Sequence, residues 1–139
     1  MNEKVLLVYQ DVDEYKIESV WASKSGDYYR IENIPFFAKN VAFGDIVSVE
    51  DEDGALYFDS LIEASGHSVV RIIMFNENDF SDVTKSIEAM GCSWEGSHIK
   101  TLISVDIPPE ISYDKVKAYL EKGRAEGRFD YQEACLGFK

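Results

Sequence analysis

The residues that could do chemistry in this chain are few and scattered. His67 and His98 are its histidines, and Cys92 and Cys135 its cysteines. Ser65-Gly66-His67-Ser68 sets hydroxyls beside an imidazole. Neighbours along a strand point to opposite faces, however, so Ser68 is badly placed to hand a proton to His67. A nucleophilic triad also needs a group that orients the base, and donors for the oxyanion. Arg71 falls on the same strand face as His67, and the two could hold an anion with Asp45 as a nearby acid. His67, Arg71 and Asp45 are thus the candidate small-ligand or catalytic set. The competing reading makes His67 a hydrogen-bonded residue at a module junction and pairs Arg71 with one of the many acids.

Metal and cofactor chemistry find little support. Zinc sites want His and Cys at fixed local spacing, and none occurs here. Asp51-x-Asp53-Gly54 resembles a fragment of a calcium loop, but the twelfth position, which should be Glu, is Ile62. The same Asp53-Gly54 pair is a hairpin turn signal, because Gly tolerates positive φ. No Gly-rich phosphate loop is present, and Gly123 to Gly127 reads as a helix end. Neither a metal nor a cofactor is expected.

Charge says more. The chain has 26 acidic residues against 14 Lys and Arg, for a formal net charge of −12. Residues 1–66 hold 14 acids and 5 bases, whereas residues 67–139 hold 12 and 9. Such a balance repels phosphate backbones and anionic lipid, so neither nucleic acid nor membrane is an expected partner. The acids concentrate in two loops, Asp11, Asp13 and Glu14, and Glu50, Asp51, Glu52 and Asp53. These are the candidate partner-binding residues, the partner then being a protein with a basic surface; the plainer reading is solubility alone. Two cysteines without a Cys-x-x-Cys read as reduced thiols. The apolar run near the N-terminus is too short for a signal core, and no run reaches the roughly 18–20 residues that span a bilayer. A cytoplasmic protein is expected.

The elements that must position these residues fall into two groups. Residues 1–66 carry short runs of β type: Val5 to Tyr9, a hairpin over 16–33 turning at Ser25-Gly26-Asp27, and Ile46 to Glu50 paired with Leu56 to Ile62. Ile17, Ser19 and Trp21 alternate with Glu18 and Val20 as in a half-buried strand. Pro35 should end a strand, and Phe36 or Phe37 should plug a barrel end or else stand exposed as an anchor. From residue 67 the pattern changes. Val69 to Phe75 reads as a central strand, 79–90 as a helix stopped by Gly91, Cys92 to Glu95 as a short strand and 99–107 as another. A helix capped by Ser112 and a strand over 129–136 follow. This is an α+β chain: a small antiparallel, barrel-like β module over 1–66, then a ferredoxin-like β-α-β-β-α-β module over 67–139. Lys100, Leu102, Ser104 and Asp106 would form the open face of the second sheet. None is aromatic, which argues against base stacking of the RNA-recognition type.

Trp21-Ala22, Tyr29-Arg30, Asn33-Ile34-Pro35-Phe36-Phe37, Gly44-Asp45 and Ser65-Gly66-His67-Ser68 together resemble a bacterial family known as a domain of unknown function, with the order W-A, Y-R-x-x-N-I-P-F-F, G-D-x-V, S-G-H-S. The resemblance spans roughly the whole chain and carries over no catalytic residue. It implies a stand-alone cytosolic bacterial protein of the kind that accompanies secreted toxins as an immunity protein. Neutralisation of a cognate toxin by direct binding is therefore the leading functional expectation. A nuclease toxin would suit it, since nuclease clefts are basic. A ligand-binding domain or enzyme using His67 and Arg71 is the alternative.

Overall fold

A computed structural model describes residues 2–137. Nine strands and two helices follow one another as β1 (Asn2–Asp11), β2 (Glu14–Ser25), β3 (Tyr28–Ile31), β4 (Ile46–Glu52), β5 (Ala55–Glu63), β6 (Ser68–Met74), α1 (Phe80–Ala89), β7 (Ser93–Gly96), β8 (Leu102–Ile107), α2 (Tyr113–Ala125) and β9 (Phe129–Cys135), with a 3-10 turn at Glu77–Asp79 before α1. The class is α+β.

Strands β1 to β5 close into a barrel in sequential order. Consecutive pairs are antiparallel, so with an odd number of strands the closing pair must run in the same direction. Val5 and Leu6 of β1 indeed pair parallel with Leu56 and Tyr57 of β5. The expectation of a purely antiparallel module is corrected at this seam. Asp53 and Gly54 both have positive φ, 54° and 92°, as a two-residue hairpin turn requires. Val5, Leu7, Val20, Ala22, Ile31 and Val47 fill the barrel, and Ala38 and Val41 from the long β3–β4 connection complete that core. The barrel is thus plugged by Ala38 and Val41 rather than by Phe36 or Phe37. Phe37 instead stacks on Tyr9, ring centroids 5.4 Å apart.

The β2 register reverses one expectation. Val20 and Ala22 are buried, whereas Ile17 and Trp21 are about half exposed. The inward face of β2 therefore carries Glu18, Val20 and Ala22, the opposite parity to the one expected from Ile17, Ser19 and Trp21.

Strands β6 to β9 form a second sheet in the order β7-β8-β6-β9, with every pairing antiparallel. Val83 and Ile87 of α1 and Val116 and Leu120 of α2 share one core with Val70, Ile72, Ile103, Val105 and Phe129, so both helices cover the same face. Gly123 of α2 sits directly over the Phe129 ring, where a Cβ would come within 2.1 Å. The other face is not open. Arg71, Ser104 and Asp106 lie on it and are buried, because the segment 34–42 packs there. Ile34 and Ala42 meet Val69 and Ala134 in a small apolar cluster of their own.

Candidate functional site

The hydrogen bonds that fix the segment Ile34 to Ala38 run to its backbone. Gln132, Arg71, Ser104 and Glu95 are successive cross-strand partners in β9, β6, β8 and β7, and so form a polar row across the sheet. Three of them take the segment in order. Glu95 accepts from the Ile34 amide at 2.7 Å, Ser104 donates to the Pro35 carbonyl at 2.9 Å, and Arg71 Nη1 donates to the Phe36 carbonyl at 2.5 Å. From the barrel side, Glu18 accepts from the amides of Phe36, Phe37 and Ala38, the latter two at 2.9 and 3.0 Å. A turn without secondary structure must have its polar groups paired if it is to be buried, and this one uses three charged side chains and the Ser104 hydroxyl to do so. Pro35, which has no amide hydrogen, sits where only a carbonyl needs a partner.

His67 lies one residue before β6. Its Nδ1 is 2.8 Å from Oδ1 of Asp106, a nearly buried carboxylate, and its ring tilts against Phe43 at 5.5 Å. Burial pushes the Asp106 carboxyl above the ordinary carboxylate range, while the His67 hydrogen bond acts against that shift. Asp45 is 3% exposed and spends both oxygens on backbone, Oδ2 on the Ala42 amide and Oδ1 on the Ser65 amide, each at 2.9 Å. Asp45 and His67 share a cleft of about 380 Å³ with Asn40, Leu61, Glu133 and Cys135. Arg71 is not part of it; it borders two other clefts, beside Phe37 and Gln132. The trio His67, Arg71 and Asp45 is therefore not assembled as one site.

Among the described residues, no hydroxyl or thiol is hydrogen-bonded to the imidazole. The Ser65 hydroxyl donates to the Phe43 carbonyl at 2.7 Å and accepts from the His67 amide, and the Ser68 hydroxyl accepts from the Gly137 amide. Burial pushes the Cys135 thiol up to about 11, so it stays protonated at neutral pH. An Asp–His pair without an activated nucleophile fixes one tautomer and ties the β5–β6 link to β8. Among the described residues, no group of three His, Cys, Asp or Glu side chains is placed to hold a metal ion.

The two acidic loops are well exposed, but they are not together. Asp11, Asp13 and Glu14 surround the β1–β2 turn, whereas Glu50 to Asp53 run into the β4–β5 turn. Because β1 and β5 are parallel and Val5 faces Leu56, the β4–β5 turn lies beside the start of β1 and the β1–β2 turn at its far end. At about 3.4 Å per strand residue the two loops are on the order of 30 Å apart. The β1–β2 end has a further character. β3 pairs with β2 only from Ala22 to Ser25, so beyond the closing seam β1 and β2 pair only with each other and form an arm. Its outer face carries Val8 opposite Ile17, then Tyr15, exposed by 53%, 54% and 77%, and Val12 in the turn is 84% exposed. Trp21, farther along the same face, lies under Lys4.

Glu18, Glu95 and Asp106 were not singled out by sequence reasoning. A usable signal existed for Glu18: it shares parity with Val20 and Ala22, and an acid on a buried face implies N–H donors waiting for it.

A family model described as a domain of unknown function, DUF4265, matches residues 18–131. The chain belongs to that family. A search of curated proteins finds no significant match. Among solved structures, the DUF4265 chain is similar to a crystal structure of a hypothetical protein from Neisseria gonorrhoeae, with 32% identity, a TM-score of 0.88, and coverage of 100% of this chain and 98% of the other. No helix of the DUF4265 chain is long and apolar enough to cross a membrane, among the described residues.

Proposed function

We propose that this DUF4265 protein is a cytosolic bacterial binding protein of the immunity type, neutralising a cognate toxin by direct contact. The observation that carries the reading is the β1–β2 arm, an apolar stripe of Val8, Tyr15 and Ile17 with Val12, Asp11, Asp13 and Glu14 at its tip. Exposed apolar side chains grouped on one projecting element mark a surface that another protein covers. Acids at the rim would steer a basic partner and exclude acidic ones. A nuclease toxin offers such a basic surface around its phosphate-holding cleft. In this reading the second sheet, with its split β-α-β order, is a ferredoxin-like support, and the Asp45–His67 cleft is structural rather than catalytic.

Reading the genes on either side of this one, and co-expressing the chain with any toxin domain found there, tests the proposal. The wild-type chain should restore growth and co-purify with the toxin. A Val8→Ser, Tyr15→Ser, Ile17→Ser variant that keeps its melting temperature should do neither. Full protection by that variant, or a genomic neighbourhood without a toxin, would overturn the reading.

A further inference from the structure

Strand β2 has an unpaired edge. Trp21 donates its amide to Asn33 Oδ1 at 2.7 Å and its carbonyl accepts from the Glu32 amide at 2.8 Å, so its backbone polar groups point away from β1. That direction alternates along an antiparallel strand, so Tyr15, Ile17 and Ser19 point the same way. β3 stops opposite Ala22, and among the described residues no hydrogen bond reaches the outward groups of those three. Tyr15 and Ile17 are 77% and 54% exposed, and Ser19 is exposed as well. Proteins normally guard such an edge with Pro, a bulge or an outward charge. Residues 14–20 contain no Pro and keep an unbroken register with β1. Lys16 leans back to Asp11 of β1 at 2.7 Å, and Glu18 is committed to the amides of Phe36, Phe37 and Ala38.

We propose that this edge pairs, antiparallel, with the same edge of a second copy of the chain, about a two-fold axis at Ile17. A two-fold contact must be self-complementary. The outward groups are symmetric about Ile17, so Ile17 meets Ile17 of the copy and Tyr15 meets Ser19 of the copy. Charge fixes the register. With the axis at Ile17, Lys16 lies opposite Glu18 of the copy on either side of the axis. Moving the axis to residue 16 sets Lys16 against itself, and moving it to residue 18 sets Glu18 against itself; like charges directly opposite are unfavourable. The formal charge of −12 on each chain does not oppose this orientation. The two acidic β1–β2 turns end about 34 Å apart, at about 3.4 Å per strand residue, against a screening length of about 8 Å. A parallel pairing would set them side by side. On the outer face, Val8 and Ile17 of both copies join into one stripe, which enlarges the surface assigned above to the toxin. The pairing rests on the strand geometry and not on that reading.

An edge contact buries little area, so the dimer should be weak. Sedimentation equilibrium of the full chain at 0.15 M salt should show a monomer–dimer equilibrium that is half dimer at about 0.1 mM. The amides of Tyr15, Ile17 and Ser19 should exchange hydrogen more slowly at about 1 mM than at about 10 μM protein. Ser19→Pro removes an outward N–H that has no partner within the chain, at a strand edge where Pro is tolerated, and should weaken the dimer at least tenfold, whereas Ser19→Ala should not. Lys16→Glu, which stands in if Ser19→Pro does not fold, sets like charges across the axis; it should weaken the dimer at least tenfold at 0.15 M salt and less at 1 M. A chain that is still monomeric at about 1 mM would leave the edge to some other partner and overturn the proposal. So would a dimer that the folded variants leave intact, or one that does not protect these three amides.

Discussion

Glu18 and Arg71 hold the two ends of one residue: the Glu18 carboxylate accepts from the Phe36 amide, and the Arg71 guanidinium donates to the Phe36 carbonyl. One side chain comes from the barrel and the other from the second sheet. The Asn33-Ile34-Pro35-Phe36-Phe37 run is therefore a fastening between two cores, and its geometry makes definite predictions.

Glu18→Gln keeps the size of the side chain but removes the charge that three amides share. An amide oxygen accepts more weakly and one of its two termini is a donor, so at least one buried N–H loses its partner. The loss should be about 2 kcal/mol of unfolding free energy, read from urea denaturation. A change indistinguishable from zero would mean that water replaces Glu18 without cost.

His67→Ala leaves the nearly buried Asp106 without its imidazole. The folded-state Asp106 carboxyl is already raised, so its protonated form is favoured by folding. The stability it contributes is present below the ordinary carboxylate value of 3.8 and is lost as pH rises through the folded value. Removing His67 raises that value further. The variant should lose about 2 kcal/mol near pH 7 and progressively less toward pH 4, in denaturant melts across that range. A pH-independent loss would assign His67 a packing role alone.

Both thiols are pushed by burial up to about 11, from an ordinary 9.0. Folding thus favours the protonated thiol. The stability from this source is whole below pH 9 and is lost as pH rises from 9 toward 11. At pH 8 the native protein should react with a disulfide reagent far more slowly than the same protein in denaturant, for Cys135 as well as for the buried Cys92. Native and denatured rates that coincide would contradict the burial argument.

Gly123→Ala would ordinarily strengthen a helix by up to about 1 kcal/mol. Here the new Cβ would meet the Phe129 ring at 2.1 Å, and the ring itself is fully buried. The net result should be a loss of about 2 kcal/mol, largely restored in the Gly123→Ala, Phe129→Leu double variant. Additive losses in the double variant would show that the contact is not the cause.

The separation of the two acidic loops gives a test of the partner-binding surface. If the arm is the interface, replacing Asp11, Asp13 and Glu14 with Asn or Gln should slow association with a basic toxin and flatten its salt dependence. The same treatment of Glu50, Asp51, Glu52 and Asp53 should change little, because screening near 0.15 M acts over about 8 Å and these acids lie far beyond that. Surface-plasmon kinetics at two salt concentrations would separate the loops, and the reverse pattern would move the interface to the β4–β5 end.

Local signals in the sequence were reliable where local chemistry decides. Asp53-Gly54 forms its hairpin, and Phe80, Val83 and Ile87, like Tyr113, Val116 and Leu120, lie on helices as their spacing requires. The failures share one origin. Ile17 and Trp21 look like inward residues, Glu18 like an outward one, and Ser104 and Asp106 like an open polar face. Each assignment is reversed by a partner far away in the chain: Phe36 for Glu18, Pro35 for Ser104, His67 for Asp106. A polar side chain can occupy a buried face when distant backbone supplies its hydrogen bonds, and periodicity carries no record of that supply. The parallel seam between β1 and β5 is equally non-local.

The fastening also bears on how the molecule comes apart. The barrel and the helix-covered sheet have separate apolar cores. Two such bodies joined by a short link would ordinarily melt in two steps. Here melting either one alone would strand the carbonyls of Pro35 and Phe36 or the amide of Ile34, whose partners Ser104, Arg71 and Glu95 lie 69, 35 and 61 residues away. The penalty falls on whichever half unfolds first, so cooperativity is transmitted through the irregular segment 34–42, by these hydrogen bonds and by the small cluster of Ile34 and Ala42 with Val69 and Ala134, rather than through a merged core.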